Sequence, residues 1–78
     1  MKKVEIKLRE ALKQRRLSQT DLHNMTGIRQ AAISVMARNK VRRIEFDHIE
    51  KIAEALSIED MNELLRIIEE EDGKEPEE

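Results

Sequence analysis

Ser18–Lys40, SQTDLHNMTGIRQAAISVMARNK, carries the signals of two short helices joined by a tight turn. Ser18 stands three residues before Asp21, the capping-box spacing in which each side chain satisfies a backbone donor left open at a helix start. A helix is therefore predicted from Gln19 to about Met25. Leu17 and Leu22 occupy the two positions of a hydrophobic staple, which fixes the angle at which the chain enters. Gly27 follows, the residue that takes positive φ without steric cost, and it suits the end of one helix and a sharp turn into the next. The next helix is predicted from Gln30. Ile28 and Ile33 repeat the staple spacing around Arg29, and Ile33, Met36 and Ala37 share one side at i, i+3, i+4. The other side carries Gln30, Ala31, Ser34, Val35 and Arg38.

Outward from this segment the chain changes period several times. Val4, Ile6 and Leu8 alternate with charged residues, as a short extended segment would. Leu8, Ala11 and Leu12 then line one face of a helix predicted over residues 7–16. Lys13, Arg15 and Arg16 place positive charge in its last turn, complementing the dipole, and a solvated helix end is preferred to phosphate contact for each. Beyond the second central helix, Arg38, Lys40, Arg42 and Arg43 crowd into six residues. A short pairing of residues 3–6 with 42–45 is expected. Asp47 and Glu50 stand at capping-box spacing ahead of the stripe Ile49, Ile52, Ala53 and Leu56, which marks a fourth helix. Phe46, the one aromatic residue, is expected to plug the core where helices meet. A fifth helix is predicted from residue 59 or 60 to 70 on the stripe Met61, Leu64, Leu65 and Ile68. Residues 71–78, EDGKEPEE, offer nothing apolar to bury and are expected to be a disordered, solubilising acidic tail.

Length allows one small domain, expected over residues 1–70. The absence of cysteine excludes a disulfide framework and a thiolate zinc site, and suits a reducing compartment. His23 and His48 lie too far apart in sequence to suggest a metal pair, and neither a metal nor a cofactor is expected. The first ten residues hold no continuous apolar stretch of the secretory kind, and no segment approaches the roughly 20 apolar residues that span a bilayer. A cytoplasmic location away from membranes is the expectation. The net charge of −2 conceals a segregation of sign. Residues 1–58 hold thirteen Lys and Arg against seven Asp and Glu, a net +6, whereas residues 59–78 hold two against ten, a net −8. The body is basic and suits an anionic partner. One aromatic residue supplies no stacking platform for single-stranded nucleic acid. No nucleophile, base and orienting group stand at recognisable spacing, and no glycine-rich phosphate loop is present, so an enzyme is not expected.

Ser18-Gln19, Leu22, Thr26-Gly27-Ile28, Gln30, Ile33-Ser34 and Asn39-Lys40 resemble the helix-turn-helix of the Xre and Cro-type DNA-binding family, which includes small phage repressors. Similarity runs from about Leu8 to Leu65. Arg29, where the family usually has a Ser or Thr N-cap, and Val35, where many members carry a long polar base reader, depart from the pattern. The resemblance implies an all-α, five-helix bundle of the phage-repressor type that binds double-stranded DNA. It further implies that Gln19 bonds a phosphate and that Gln30 enters the major groove, where its amide matches adenine N6 and N7. Ala31 and Ala32 are small enough to approach a thymine methyl, Ser34 suits base or phosphate, Val35 offers apolar contact, and Arg29 suits guanine or backbone. For Ser34 and Val35 taken singly, an ordinary exposed helix residue is the simpler account. Arg38, Lys40, Arg42 and Arg43 are assigned to phosphates. Useful specificity calls for two modules, hence a homodimer on a pseudo-palindromic operator, with Met61, Leu64, Leu65 and Ile68 as its expected interface. The expected role is a transcriptional repressor. The alternative is a protein-binding adaptor or antitoxin that uses residues 60–70 as its contact helix.

Overall fold

A computed structural model describes residues 1–70 of the chain; the tail expected over residues 71–78 lies outside them. Strand β1 (Lys2–Ile6) leads into α1 (Leu8–Gln14), α2 (Gln19–Thr26), α3 (Gln30–Ala37) and α4 (Phe46–Leu56). A single 3-10 turn at Met61–Glu63 then leads into strand β2 (Leu65–Glu69). The helices enclose an aliphatic core in which Leu8, Leu22, Ile33, Ile52 and Leu64 are fully buried. No polar or charged residue is buried among the described residues, so the core makes no demand for internal hydrogen bonding.

Where each helix stops follows from local backbone chemistry. At the end of α1, Arg16 takes φ 57°, and the N–H groups of Arg16 and Leu17 bond back to the carbonyls of Lys13 and Leu12. Asn39 after α3 and Ser57 after α4 repeat the arrangement at φ 60° and 56°. There the N–H of Lys40 reaches Val35 O, and that of Ile58 reaches Ala53 O. These are Schellman closures, which satisfy helix-end carbonyls but need a left-handed residue. Arg15 ties two helix ends together. Its Nε donates to Leu56 O at 2.8 Å, its Nη1 to Ala11 O at 3.0 Å, and its Nη2 to Glu63 Oε1 at 3.0 Å. The guanidinium expected to lie in solvent is thus a structural bracket.

Three expectations are overturned. The segment predicted as a fifth helix forms the 3-10 turn and β2 instead. Asp60 caps that turn by accepting from Asn62 N–H at 2.9 Å, which seats Leu64 in the core and redirects the chain into an extended run. Next, β1 pairs antiparallel with β2 rather than with residues 42–45, in a register that sets Lys2 opposite Glu69 and Ile6 opposite Leu65. Cross-strand charge explains the choice, since residues 42–45 would have brought Arg42 and Arg43 towards Lys2 and Lys3. The acidic end instead receives them. The N-terminal ammonium and Lys2 both pair with Glu69, at 2.7 and 2.9 Å, and Lys3 pairs with Glu70. Arg66 bridges Glu5 on the facing strand. Lastly, Phe46 is 84% exposed. The fourth helix begins at Phe46 itself, with Glu45 rather than Asp47 as its N-cap, so the ring sits a full turn ahead of Ile49, outside an aliphatic core that is already filled. Asp47 lies within the first turn and pairs with Lys51 at 3.1 Å.

Candidate nucleic-acid interface

The turn between α2 and α3 is held by side chains as well as by Gly27. The capping box expected at Ser18 is present, with Ser18 Oγ accepting from Asp21 N–H at 2.9 Å and Asp21 Oδ2 accepting from Ser18 N–H at 2.8 Å. At the far end Gly27 takes φ 78°, and its N–H bonds to His23 O. Thr26 Oγ1 donates to Leu22 O at 2.7 Å and accepts from Ile28 N–H at 3.1 Å, so one hydroxyl bridges the last turn of α2 and the chain just beyond it. His23 Nδ1 lies 2.7 Å from Ile28 O and adds a second link across the same turn. Leu22, Ile28 and Ile33 meet beneath it, each buried. The angle between the two helices is therefore fixed by polar bonds above and aliphatic packing below.

That rigidity positions the start of α3. Helix α3 begins at Gln30 as expected, and the Arg29 side chain makes no capping bond, so the first N–H groups of the helix remain available to an anion or a base edge. Gln30 and Ala31 are exposed side by side, whereas Ala32 is half-buried and packs against the core. Ser34 and Val35, one turn on, are half-buried. Arg38 is exposed, and its Nε points back to Ser34 O at 3.4 Å. Arg29 and Arg38 thus flank the two ends of the outer face of α3. The exposed Lys40, Arg42 and Arg43 continue the positive charge into the loop towards α4.

Gln19 is half-buried at the start of α2, beside a shallow groove lined by Arg9, Lys13, Arg16 and Ser18. This cluster of cations from α1 next to the open end of α2 was not among the sequence-derived site residues. Its signal was the i, i+4 spacing of Arg9 and Lys13 with Arg16 one turn on, which places all three towards one side of the helix. The expected interface residues at the other end of the chain are not gathered on one surface. Leu64 is fully buried in the monomer, Leu65 and Ile68 are half-buried, and Met61 is exposed. Because side chains alternate along β2, Leu65 and Ile68 project from opposite faces of the strand.

Among the described residues no helix is long and apolar enough to cross a membrane, and no group of acidic and histidine side chains is placed to hold a metal ion. No curated protein and no solved structure matches the chain at significance. A family model does match, over residues 7–70, and its description is a Cro/C1-type helix-turn-helix DNA-binding domain. That match spans α1 to β2 and includes the bracketed turn and both of its helices, so the chain belongs to the Cro/C1-type helix-turn-helix DNA-binding family.

Proposed function

We propose that this protein is a sequence-specific regulator of transcription that reads the major groove of double-stranded DNA with α3 and represses by occupying its operator. One observation carries the reading. Gln30 and Ala31 stand exposed at an uncapped helix start, on a turn held rigid by Thr26 and His23, with Arg29, Arg38, Lys40, Arg42 and Arg43 exposed around them. Gln30 pairs with an adenine edge and supplies discrimination of about 1–3 kcal/mol. Ala31 approaches a neighbouring thymine methyl, with Ala32 behind it supporting the helix more than touching DNA. Ser34 and Val35 line the next turn, and Arg29 holds either a guanine or the backbone. Gln19, Arg38, Lys40, Arg42 and Arg43 set the register through phosphates, which carry position rather than sequence. The protein acts as a homodimer on a pseudo-palindromic site, its two α3 helices about 34 Å apart on one side of the duplex. With about four to five phosphates neutralised per subunit, the slope of log affinity against log salt is of order −8.

Fluorescence anisotropy on a set of single-base operator variants, repeated at several salt concentrations, tests this directly. Gln30→Ala is expected to flatten preference at one base position in each half-site. Arg42→Ala and Arg43→Ala are expected to weaken all sequences alike, and each is expected to make the salt slope shallower by about one for every cation removed from the complex. An affinity independent of salt, or a Gln30→Ala variant that ranks every sequence as the parent does, contradicts the reading.

A further inference from the structure

Strand β2 has an outer edge that the monomer does not cover. The bonds that close the ladder run from Lys7 N–H to Leu64 O and from Glu70 N–H to Met1 O. In this register they direct the peptide groups of the odd-numbered residues of β1 inward, towards the even-numbered residues of β2. The peptide groups of Leu65, Ile67 and Glu69 therefore face away from β1, as do those of Lys2, Val4 and Ile6 on the opposite side of the sheet. The two edges are treated differently. The β1 edge is blunted, since Ile6 N–H donates to Asn39 Oδ1 at 3.0 Å and two lysines stand beside it. The β2 edge meets no partner among the described residues and has a β-branched apolar residue at its centre. Val4 and Ile67 lie directly opposite each other, 59% and 68% exposed, on one face of this two-stranded sheet.

We propose that the occupant of the β2 edge is the β2 edge of a second copy, paired antiparallel about a two-fold axis at Ile67. A two-fold axis perpendicular to the sheet keeps the faces aligned, so partners directly opposite must have the same parity. Centred on Ile67, the pairing joins Ile67 to its own counterpart, Leu65 to Glu69 and Arg66 to Ile68. Every outward peptide group of β2 then finds a partner, and Val4, Ile67 and their counterparts form one β-branched row across four strands. No like charges meet directly. A centre at Arg66 would set guanidinium against guanidinium, and one at Ile68 would set Ile67 against Glu69 and leave the apolar row broken. In each copy the Asn39 bond to Ile6 links the end of α3 to β1, so the joined sheet connects the two reading helices in a fixed relation. The pairing rests on the dimeric part of the proposed function and gives it a different surface from the one expected on Met61, Leu64, Leu65 and Ile68.

Light scattering on the full chain tests the pairing. The parent should run at twice the 9.2 kDa chain mass. Ile67→Lys and Ile67→Glu should each run as monomers with unchanged far-ultraviolet circular dichroism, and an equimolar mixture of the two should recover the dimer, because residue 67 meets only its own counterpart. Ile67→Pro, which removes an outward N–H that the β1–β2 ladder does not use, should also be monomeric, while Val4→Pro on the blunted edge should stay dimeric. A monomeric parent, a mixture that fails to recover the dimer, or a dimeric Ile67→Pro overturns the proposal. Binding of a short mixed-sequence duplex separates the two readings. A monomeric parent that still binds it refutes strand pairing alone, whereas a parent that follows the dimer pattern but binds no duplex refutes the DNA reading alone.

Discussion

Arg16, Asn39 and Ser57 all hold left-handed backbone, which costs a residue with a Cβ roughly 1–2 kcal/mol. Asn39 suits its place, because Asn tolerates this region and its side chain secures Ile6. Ser57 is exposed and makes no comparable bond, so Ser57→Gly is expected to stabilise the fold by about 1 kcal/mol in urea unfolding, with DNA binding unchanged. Arg15 acts in the opposite sense. Its three bonds satisfy carbonyls at the ends of α1 and α4 and anchor the turn before β2, so Arg15→Met should cost about 2 kcal/mol, readable by the same measurement. The charge of Arg15 was visible in the sequence, but its task was not. Three cations in one helical turn look alike until the position of Leu56 O is known.

At the scale of the element, the α2–α3 turn was legible because its signals are local. Ser18 with Asp21, Gly27, and the staple pairs around Arg29 each act within a few residues, and the helices begin at Gln19 and Gln30 where those signals place them. Thr26 was recognised as part of a pattern, and its geometry shows why it belongs there. Thr26→Val leaves Ile28 N–H without its acceptor and should cost about 2 kcal/mol, with a matching loss of DNA affinity as α3 loses its fixed angle. A variant that loses stability but binds DNA as the parent does would show that α3 is held without this bridge. The final segment was misread because Met61, Leu64, Leu65 and Ile68 fit a helical stripe and a buried turn followed by a strand equally well. Local pattern could not choose between them. The decision rests on residues near the start of the chain, where Lys2, Lys3 and Glu5 supply complementary charge and Ile6 the facing apolar contact. Phe46 was misplaced for a related reason, since a lone aromatic is expected in a core unless that core is already filled by aliphatic side chains from other elements.

Across the whole molecule, the segregation of charge serves two ends. Part of the acidic end closes on the basic start of the chain through β1 and β2, and this leaves the cations of α1, α3 and the following loop as the exposed positive surface. The closure carries a pH signature. Hydrogen bonds from the N-terminal ammonium and then from Lys2 lower the pKa of Glu69, so its contribution to stability is present above the ordinary carboxylate range and is lost as pH falls through the depressed value. An NMR titration of the Glu69 carboxyl should therefore show a midpoint below that of a free glutamate, and both N-terminal acetylation and Lys2→Ala should move it upward. The central claim concerns the other face of the molecule, where α3 presents Gln30 to DNA. The measurement that tests it most directly is selection of bound duplexes from a random-sequence pool by the purified protein at near-physiological salt, followed by sequencing. The account predicts enrichment of an inverted repeat with half-sites about one helical turn apart and an adenine at a fixed place in each. A pool that emerges without any enriched sequence would contradict it.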